Sequence, residues 1–296
     1  MAPFFILIQF ENYLKTEKRF SDNTCVAYKN DLNQFIEFAE LTNQDELNEI
    51  NYQMIRSWIV HLMDLGSSHR TVNRKLSTLR TFYRWCLKQG VGLNNPMLKI
   101  KGPKPEKRLP VFLKQSELDI EKLTPLFSDD FDGVRDRLMI ELFYQTGIRL
   151  SELIALKEED VNKNAIKVLG KRNKERIIPI SNELSNQISD YQKYKLNNGI
   201  HSFNLLTLLN GKNLYPKLVY RKINYYLGLV TNLNKKSPHV LRHTFATHML
   251  NNGTGLETLK NILGHSSLSA TQVYTHSSFT QLNSIYSQAH PRGHKK

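Results

Sequence analysis

Residues 99–110 divide the chain into two parts, because this segment, KIKGPKPEKRLP, holds three prolines and one glycine and lacks an apolar period. Proline fixes φ and removes a backbone donor, so such a stretch favours an extended linker over a helix or a strand. At 296 residues the chain also exceeds the usual size of one hydrophobic core. We therefore predict a domain at residues 1–98, a linker at 99–110 and a second domain at 111–296.

Apolar residues recur at helical spacing through the first hundred positions. One stripe follows Ser21, a second is centred on Trp58, and a third begins near Ser68 and ends at Gly90. Serine can accept hydrogen bonds from the first backbone N–H groups of a helix, and glycine readily adopts the left-handed conformation at its end. The pattern predicts a small, all-helical N-terminal domain.

The second part of the chain is also mostly helical, with one exception. Helical patterns cover 116–126 and 132–145, and later ones include a first-turn proline at Pro216 and a stop at Gly253. Residues 165–180 instead show two β-branched runs around a polar turn, which is typical of a hairpin. The predicted fold class is mainly α, with a small antiparallel sheet in the second domain.

The chain is strongly basic, with 41 lysines and arginines against 27 acidic residues and a formal charge of +14. Such a charge attracts polyanions, and nucleic acid comes before anionic lipid. Between Leu65 and Pro105 there is no acidic residue, and Arg80, Arg84 and Lys88 share one helix face. A solvated helix face is the alternative, but the missing counter-charges favour DNA. The predicted DNA-binding residues are Arg70, Arg74, Arg80, Arg84, Lys88, Arg172 and Lys174.

Two observations concern where the protein resides. Cys25 and Cys86 lie in apolar helical stretches without CxxC spacing, so a disulfide framework or a thiol metal site is not expected. The apolar N-terminal run MAPFFILIQF is too short to cross a bilayer and has no basic leader. We expect a cytoplasmic protein with no membrane partner.

The stretch from Pro238 to Tyr274 gathers histidines, an arginine and a tyrosine in an order that suits phosphodiester chemistry. A tyrosine attacks phosphorus only where fixed donors neutralise the added negative charge. His239 and Arg242 are three apart on a predicted helix and therefore share a face, and His265 follows a glycine stop. His243, four residues after His239, raises a zinc nuclease as an alternative, which is disfavoured because the spacing lacks the glutamate of H-E-x-x-H.

Arg149 and Lys171 are two further candidates, each with a plainer alternative. Arg149 precedes a predicted helix start, where its guanidinium can meet a phosphate, or it can simply pair with Glu152. Lys171 lies at the predicted hairpin turn among other cations, where it can donate a proton to a leaving alkoxide or only grip a phosphate.

Taken together, the candidate residues occur in the order Arg, Lys, His-x-x-Arg, His, Tyr. In this order and spacing the chain resembles the tyrosine recombinase family. The N-terminal TVNRKLSTLRTFYRW is similar to that family's helical core-binding domain, a SAM-like DNA clamp, and AHPRG near the end resembles the Xer branch. Xer proteins are bacterial site-specific recombinases that resolve chromosome dimers. The matching catalytic stretches read TGIRLSEL, GKRNKER, PHVLRHTFATHML and LGHSSLSATQVYTH.

The resemblance implies a role for each matched residue. Arg149 and Arg242 would hold the scissile phosphate, Tyr274 would attack it, and Lys171 would protonate the leaving 5′-hydroxyl. The product would be a 3′-phosphotyrosyl link that keeps the phosphodiester energy, so no cofactor, metal or ATP is expected.

The resemblance also places two histidines in the reaction. His239 would handle the proton of the nucleophile, and His265 would donate a hydrogen bond to a non-bridging oxygen. Arg172 departs from the family pattern, in which a glycine is frequent after the lysine.

The implied partners are a double-stranded DNA recombination site, three further subunits and a septal DNA translocase as activator. The subunits would form a homotetramer, or a heterotetramer with a paralogous recombinase, and exchange C-terminal helices. Two alternatives stay open: an integrase of a mobile element or integron, and a DNA-binding protein without catalysis.

Overall fold

The structure is a computed structural model that describes residues 5–43, 45–91, 94–104, 111–170, 174–264 and 276–293. The chain separates into two compact units, Met1–Arg108 and Leu109–Lys296. Each unit has its own hydrophobic core. The predicted boundaries at residues 98 and 111 stay predictions.

The N-terminal unit is helical. Its helices begin where the sequence offers caps: Ser21 precedes α2, and the side chains of Asn51 and Ser68 accept hydrogen bonds from the first turns of α3 and α4. The first helix was not predicted, because its apolar run was interpreted only with respect to a membrane span or a leader. The helices are α1 (Phe5–Thr16), α2 (Asp22–Phe38), α3 (Tyr52–Asp64) and α4 (His69–Lys88), with a 3-10 turn at Asp45–Asn48.

A buried carboxylate joins α2 to α4. Asp31 is 2% exposed and accepts hydrogen bonds from Lys75 Nζ at 3.1 Å and Thr78 Oγ1 at 3.0 Å. Arg74, a predicted DNA contact, also forms an ion pair with Asp31, although half of its side chain is exposed. Arg74 therefore contributes to the packing of α2 on α4 as well as to the basic surface.

Part of the predicted linker lies against α4. Asn73 Nδ2 donates to the Pro103 carbonyl at 2.7 Å, and Arg80 Nη2 donates to the Ile100 carbonyl at 2.9 Å. Ile100 itself is buried in the N-terminal core. Residues 99–104 are thus packed on the first unit, and residues 105–110 lie outside the described part of the chain.

The C-terminal unit is also mainly helical, and it holds the predicted hairpin. The predicted helix over 116–126 is interrupted. A 3-10 turn at Gln115–Glu117 ends before Asp119, whose extended backbone begins a short α-helix, and a second 3-10 turn follows at Thr124–Leu126, where Pro125 has no N–H to extend that helix. Another 3-10 turn is Glu158–Asp160. The helices are α5 (Ile120–Leu123), α6 (Phe131–Thr146), α7 (Leu150–Ala155), α8 (Asn182–Asn197), α9 (Pro216–Val230), α10 (Pro238–Asn251), α11 (Leu256–Leu263) and α12 (His276–Ala289).

The sheet has three antiparallel strands in the order β1-β2-β3: Val161–Asn162, Ala165–Leu169 and Glu175–Pro179. Ile166 lies opposite Ile178, and Leu169 opposite Glu175. The predicted hairpin is confirmed as β2 and β3, and the two-residue β1 was not predicted. The fold class, mainly α with a small antiparallel sheet, is confirmed.

Helix α12 packs on its own unit. Leu282, Tyr286 and Ala289 are buried in the C-terminal core, beside α10 and β3. The following AHPRG segment is also held: His290 is buried against the Tyr144 carbonyl, and Arg292 pairs with Glu141. The exchange of this tail between subunits stays a prediction. Within the described ranges, no helix combines the length and apolar content that a bilayer crossing needs.

Candidate active site

The corner between α6 and α7 positions Arg149. Gly147 ends α6 with φ +59°, in the left-handed region. A Cβ at this position would lie 2.5 Å from Phe245 Cδ1, so both the backbone conformation and the space require glycine. The chain then turns within two residues, and Arg149 stands immediately before α7.

Arg149 has an acidic partner, as one of its two interpretations predicted. Its Nη1 donates to Glu152 Oε1 at 2.7 Å, and its backbone N–H donates to Glu152 Oε2 at 2.8 Å. Its Nη2 also donates to the Gly264 carbonyl at 2.9 Å. A quarter of the side chain remains exposed. The ion pair therefore orients Arg149 without covering it.

Arg242 lies on α10, as predicted, and is 8% exposed. Its two terminal nitrogens donate to the carbonyls of Gly147 and Leu263, the latter at 2.7 Å. Burial, followed by the nearby charges of Arg149 and Arg176, lowers the pKa of Arg242 to about 10. A buried guanidinium near two others is electrostatically costly, and a bound anion would relieve that cost.

Arg176 is a third arginine of this cluster. The sequence places it beside Lys171 as one cation of a basic hairpin, but it lies within β3 and is only 4% exposed. Its Nη1 and Nη2 donate to the two oxygens of Glu152, each at 2.8 Å, and its Nε donates to the Ile262 carbonyl at 2.8 Å. We call Arg149, Arg176, Arg242 and Glu152 the arginine cluster.

Glu152 stays ionised in this setting. Its burial would raise the pKa of the carboxyl, but the hydrogen bonds and charge of Arg176, together with two hydrogen bonds from Arg149, lower it to about 2. The three guanidinium groups and one carboxylate leave the cluster with a net positive charge. The arrangement is suited to an anion with several oxygens.

Three consecutive carbonyls at the end of α11 bind the three arginines. Ile262 accepts from Arg176, Leu263 from Arg242 and Gly264 from Arg149. The last carbonyls of a helix have no partner within it and carry partial negative charge, so cations are favoured there. Residue 265 therefore follows directly on a carbonyl that is bound to Arg149.

His239 is the second residue of α10, on the same helix as Arg242, and its side chain is exposed. Lys171, Arg172, His265 and Tyr274 lie outside the described residues. The structure thus brings together Arg149 and Arg242, and it describes the residues next to two of the others.

The neighbours of Lys171 and His265 both lie at the arginine cluster. A Cβ at Gly170 would be 3.5 Å from Arg176 Nη1 and 3.8 Å from Glu152 Oε1. A Cβ at Gly264 would be 3.1 Å from Arg176 Cδ. Gly170 and Gly264, which precede Lys171 and His265 in the sequence, thus both lie beside Arg176, the partner of Glu152.

The predicted DNA-binding residues differ in their surroundings. Arg70, Arg84 and Lys88 are exposed on α4, and Lys174 is exposed just before β3. Arg74 and Arg80 have the protein partners described above. Among the described residues, no group of three or more histidines, cysteines or carboxylates could hold a metal ion.

Comparisons with known proteins agree along the chain. The model of the phage integrase family matches residues 115–281, and that of the phage integrase N-terminal SAM-like domain matches residues 7–90. Tyrosine recombinase XerC of Staphylococcus haemolyticus is 40% identical over 297 residues, covering 98% of this chain and 98% of the relative. Tyrosine recombinase XerD of Staphylococcus epidermidis is 37% identical, covering 97% of this chain and 99% of the relative.

Two solved structures are similar in fold. XerH recombinase bound to palindromic difH substrate in a post-cleavage complex has a TM-score of 0.71 at 23% identity, covering 95% of this chain and 84% of that one. A lambda integrase dimer bound to a COC′ core site has a TM-score of 0.68 at 17% identity, covering 90% and 98%.

Proposed function

Since the chain belongs to the phage integrase family of tyrosine recombinases, enzymes that cut and rejoin DNA strands, we propose that the arginine cluster is where it binds the scissile phosphate. The observation that supports this most is that Arg149 and Arg242 bind adjacent carbonyls, those of Gly264 and Leu263 respectively, which brings the two guanidinium groups together. Each guanidinium has five N–H donors, of which the named contacts use two. The remaining donors are suited to phosphate oxygens.

We propose that Tyr274 is the nucleophile. Its oxygen forms a bond to phosphorus while the bond to the 5′-oxygen of the next nucleotide breaks, and Lys171 gives its proton to that leaving oxygen. Arg149 and Arg242 neutralise the charge that accumulates on the non-bridging oxygens in the transition state. Attack by another strand's 5′-hydroxyl on the phosphotyrosine then restores a phosphodiester, so the strand is rejoined without an energy source.

The two histidines complete the proposed site. His239, exposed one turn before Arg242, accepts the phenolic proton, and His265 donates a hydrogen bond to a non-bridging oxygen. Their neighbours support these roles, because His239 shares α10 with Arg242 and Gly264 is bound to Arg149. Neither role requires a metal ion.

The proposed biological reaction is recombination at a chromosomal site that resolves chromosome dimers, in the cytoplasm. Identity of 37–40% to proteins named XerC and XerD, over nearly the whole chain, supports this more than an integrase of a mobile element. The proposed assembly is a tetramer on two double-stranded DNA sites, with itself or a paralogue, activated by a septal DNA translocase. In each subunit the basic face of α4 would follow the DNA backbone.

A trapped covalent intermediate tests this function. DNA that copurifies from the host chromosome with the Tyr274→Phe protein supplies the site, and a nick one nucleotide from the cleavage position lets the 5′-hydroxyl fragment diffuse away. Wild-type protein is expected to form an adduct that resists denaturant and chelator. Equal adduct formation by Tyr274→Phe would contradict the assignment.

A further inference from the structure

Arg176 uses its guanidinium within the protein. Its three nitrogens donate to Glu152 and to the Ile262 carbonyl, and 4% of the residue is exposed. A side chain bound in this way is not suited to contact DNA. Its place at the centre of the proposed phosphate site therefore needs another explanation.

Glu152 is shared unequally between two arginines. Arg176 binds both carboxylate oxygens through two parallel hydrogen bonds, the strongest geometry for this pair of groups. Arg149 gives the same carboxylate only one side-chain donor, Nη1. The negative charge of Glu152 is thus balanced mainly by Arg176, and most of the Arg149 charge remains available to an anion.

Arg176 also supports the end of α11. Its Nε holds the Ile262 carbonyl, and its Cδ lies where a Cβ at Gly264 would be only 3.1 Å away. Gly264 adopts φ +65° and gives its carbonyl to Arg149. The aliphatic part of Arg176 therefore packs against Gly264, whose carbonyl is the second partner of Arg149 besides Glu152.

We propose that Arg176 is a positioning residue for DNA cleavage: it balances the charge of Glu152 and supports Gly264, so that Arg149 presents its charge to the scissile phosphate. This inference rests on the proposed function. Without Arg176, Glu152 would have Arg149 as its remaining arginine partner and would draw that guanidinium into a two-point pair. Less positive charge would then face the phosphate.

A pair of substrates separates this role from a structural one. One nicked recombination site carries the natural phosphodiester at the cleavage position, and the other carries a neutral methylphosphonate there. The measurement is the rate of adduct formation on the phosphodiester substrate divided by the rate on the methylphosphonate substrate. Loss of charge presented by Arg149 slows the anionic substrate selectively, whereas partial misfolding slows both substrates by the same factor.

Arg176→Met is expected to lower this ratio about tenfold, less than the roughly 100- to 1000-fold cost of removing a direct oxyanion donor. Arg176→Lys keeps a positive charge beside Glu152 and is expected to retain most of the ratio. The matched control is Lys167→Met, which removes an exposed cation from the same hairpin and is expected to leave the ratio unchanged. Should Arg176→Met fail to fold, Arg176→Gln takes its place in the comparison.

An unchanged ratio in folded Arg176→Met or Arg176→Gln would overturn the inference, even if both rates fell. Failure of the proposed function is distinct, because wild-type protein would then form no Tyr274 adduct on either substrate.

Discussion

Arg242 donates a hydrogen bond to the carbonyl of Gly147, the left-handed residue that ends α6. The same guanidinium binds Leu263 at the end of α11, so one buried side chain ties two helix ends together. Arg149 follows Gly147 by two residues. The conformation of this glycine therefore controls two of the proposed phosphate ligands.

We predict that Gly147→Ala destabilises the C-terminal unit by roughly 2–5 kcal/mol. The left-handed conformation costs a residue with a Cβ roughly 1–2 kcal/mol, and overpacking adds about 1–3 kcal/mol because Phe245 lies too close. Urea unfolding measures the difference. Gly199→Ala is the matched control, since Gly199 has φ +68° but open space around its Cβ position, and only the first cost applies. Equal losses in the two variants would contradict the steric argument.

Glu152 is predicted to make the free energy of unfolding depend on pH in the acidic range. The pKa of its carboxyl is about 2 in the folded protein and 4.5 when unperturbed, so the folded state holds fewer protons between these values. Its contribution is complete above about pH 4.5 and is lost as the pH falls toward 2, with an upper bound of about 3 kcal/mol. The free energy of unfolding of wild type, minus that of Glu152→Gln, should shrink across this window. Glu175→Gln, which removes an exposed carboxylate from β3, is the control. A constant difference would show that Arg176 and Arg149 do not hold the pKa down.

Two arginines of α4 are predicted to behave differently when replaced. Arg84→Ala should weaken DNA binding and reduce the slope of log affinity against log salt by about one, with no change in stability, because Arg84 is exposed. Arg74→Ala should weaken DNA binding and also lower the free energy of unfolding, because Asp31 loses an ion-pair partner. Filter binding over a salt series and urea unfolding measure the two quantities. A stability loss in Arg84→Ala equal to that in Arg74→Ala would contradict this distinction.

Asp31→Asn is predicted to destabilise the N-terminal unit by roughly 3–5 kcal/mol, the usual cost of leaving a buried charge without its partner. The stranded group is Lys75, which is 5% exposed and 3.1 Å from the carboxylate. Replacing both residues with apolar ones, as in Asp31→Leu with Lys75→Met, should recover much of the loss. Denaturant unfolding measures each variant, and a double variant no better than Asp31→Asn would refute the charge explanation.

Local patterns predicted most of the fold. Helices α2 and α4 each combine an apolar stripe with a serine just before the first turn, and the β2–β3 hairpin combines two β-branched runs with a polar turn. The predicted helix over 116–126 is interrupted twice, at the extended Asp119 and before Pro125, which lacks a backbone donor. A pattern of side chains does not report a lost backbone hydrogen bond.

The site was less accessible to sequence reasoning, because its contacts are distant along the chain. Arg176 meets Glu152 from 24 residues away and Ile262 from 86. Its one visible signal was its position in the strand ERIIP, where alternation places residue 176 on the same face as the apolar Ile178. For Arg149, phosphate binding and pairing with Glu152 were weighed as rivals, whereas the geometry allows both at once.

The end of α11 is attached through three successive carbonyls to arginines from α7's start, α10 and β3. Hydrogen bonds from three different elements thus hold three successive residues at this helix end. Gly264, the residue that precedes His265 in the sequence, is therefore held directly by Arg149. Under the proposed function, a change in the number of residues between Gly264 and Tyr274 would move the proposed nucleophile relative to the proposed phosphate ligands, so the length of this stretch is expected to matter for DNA cleavage.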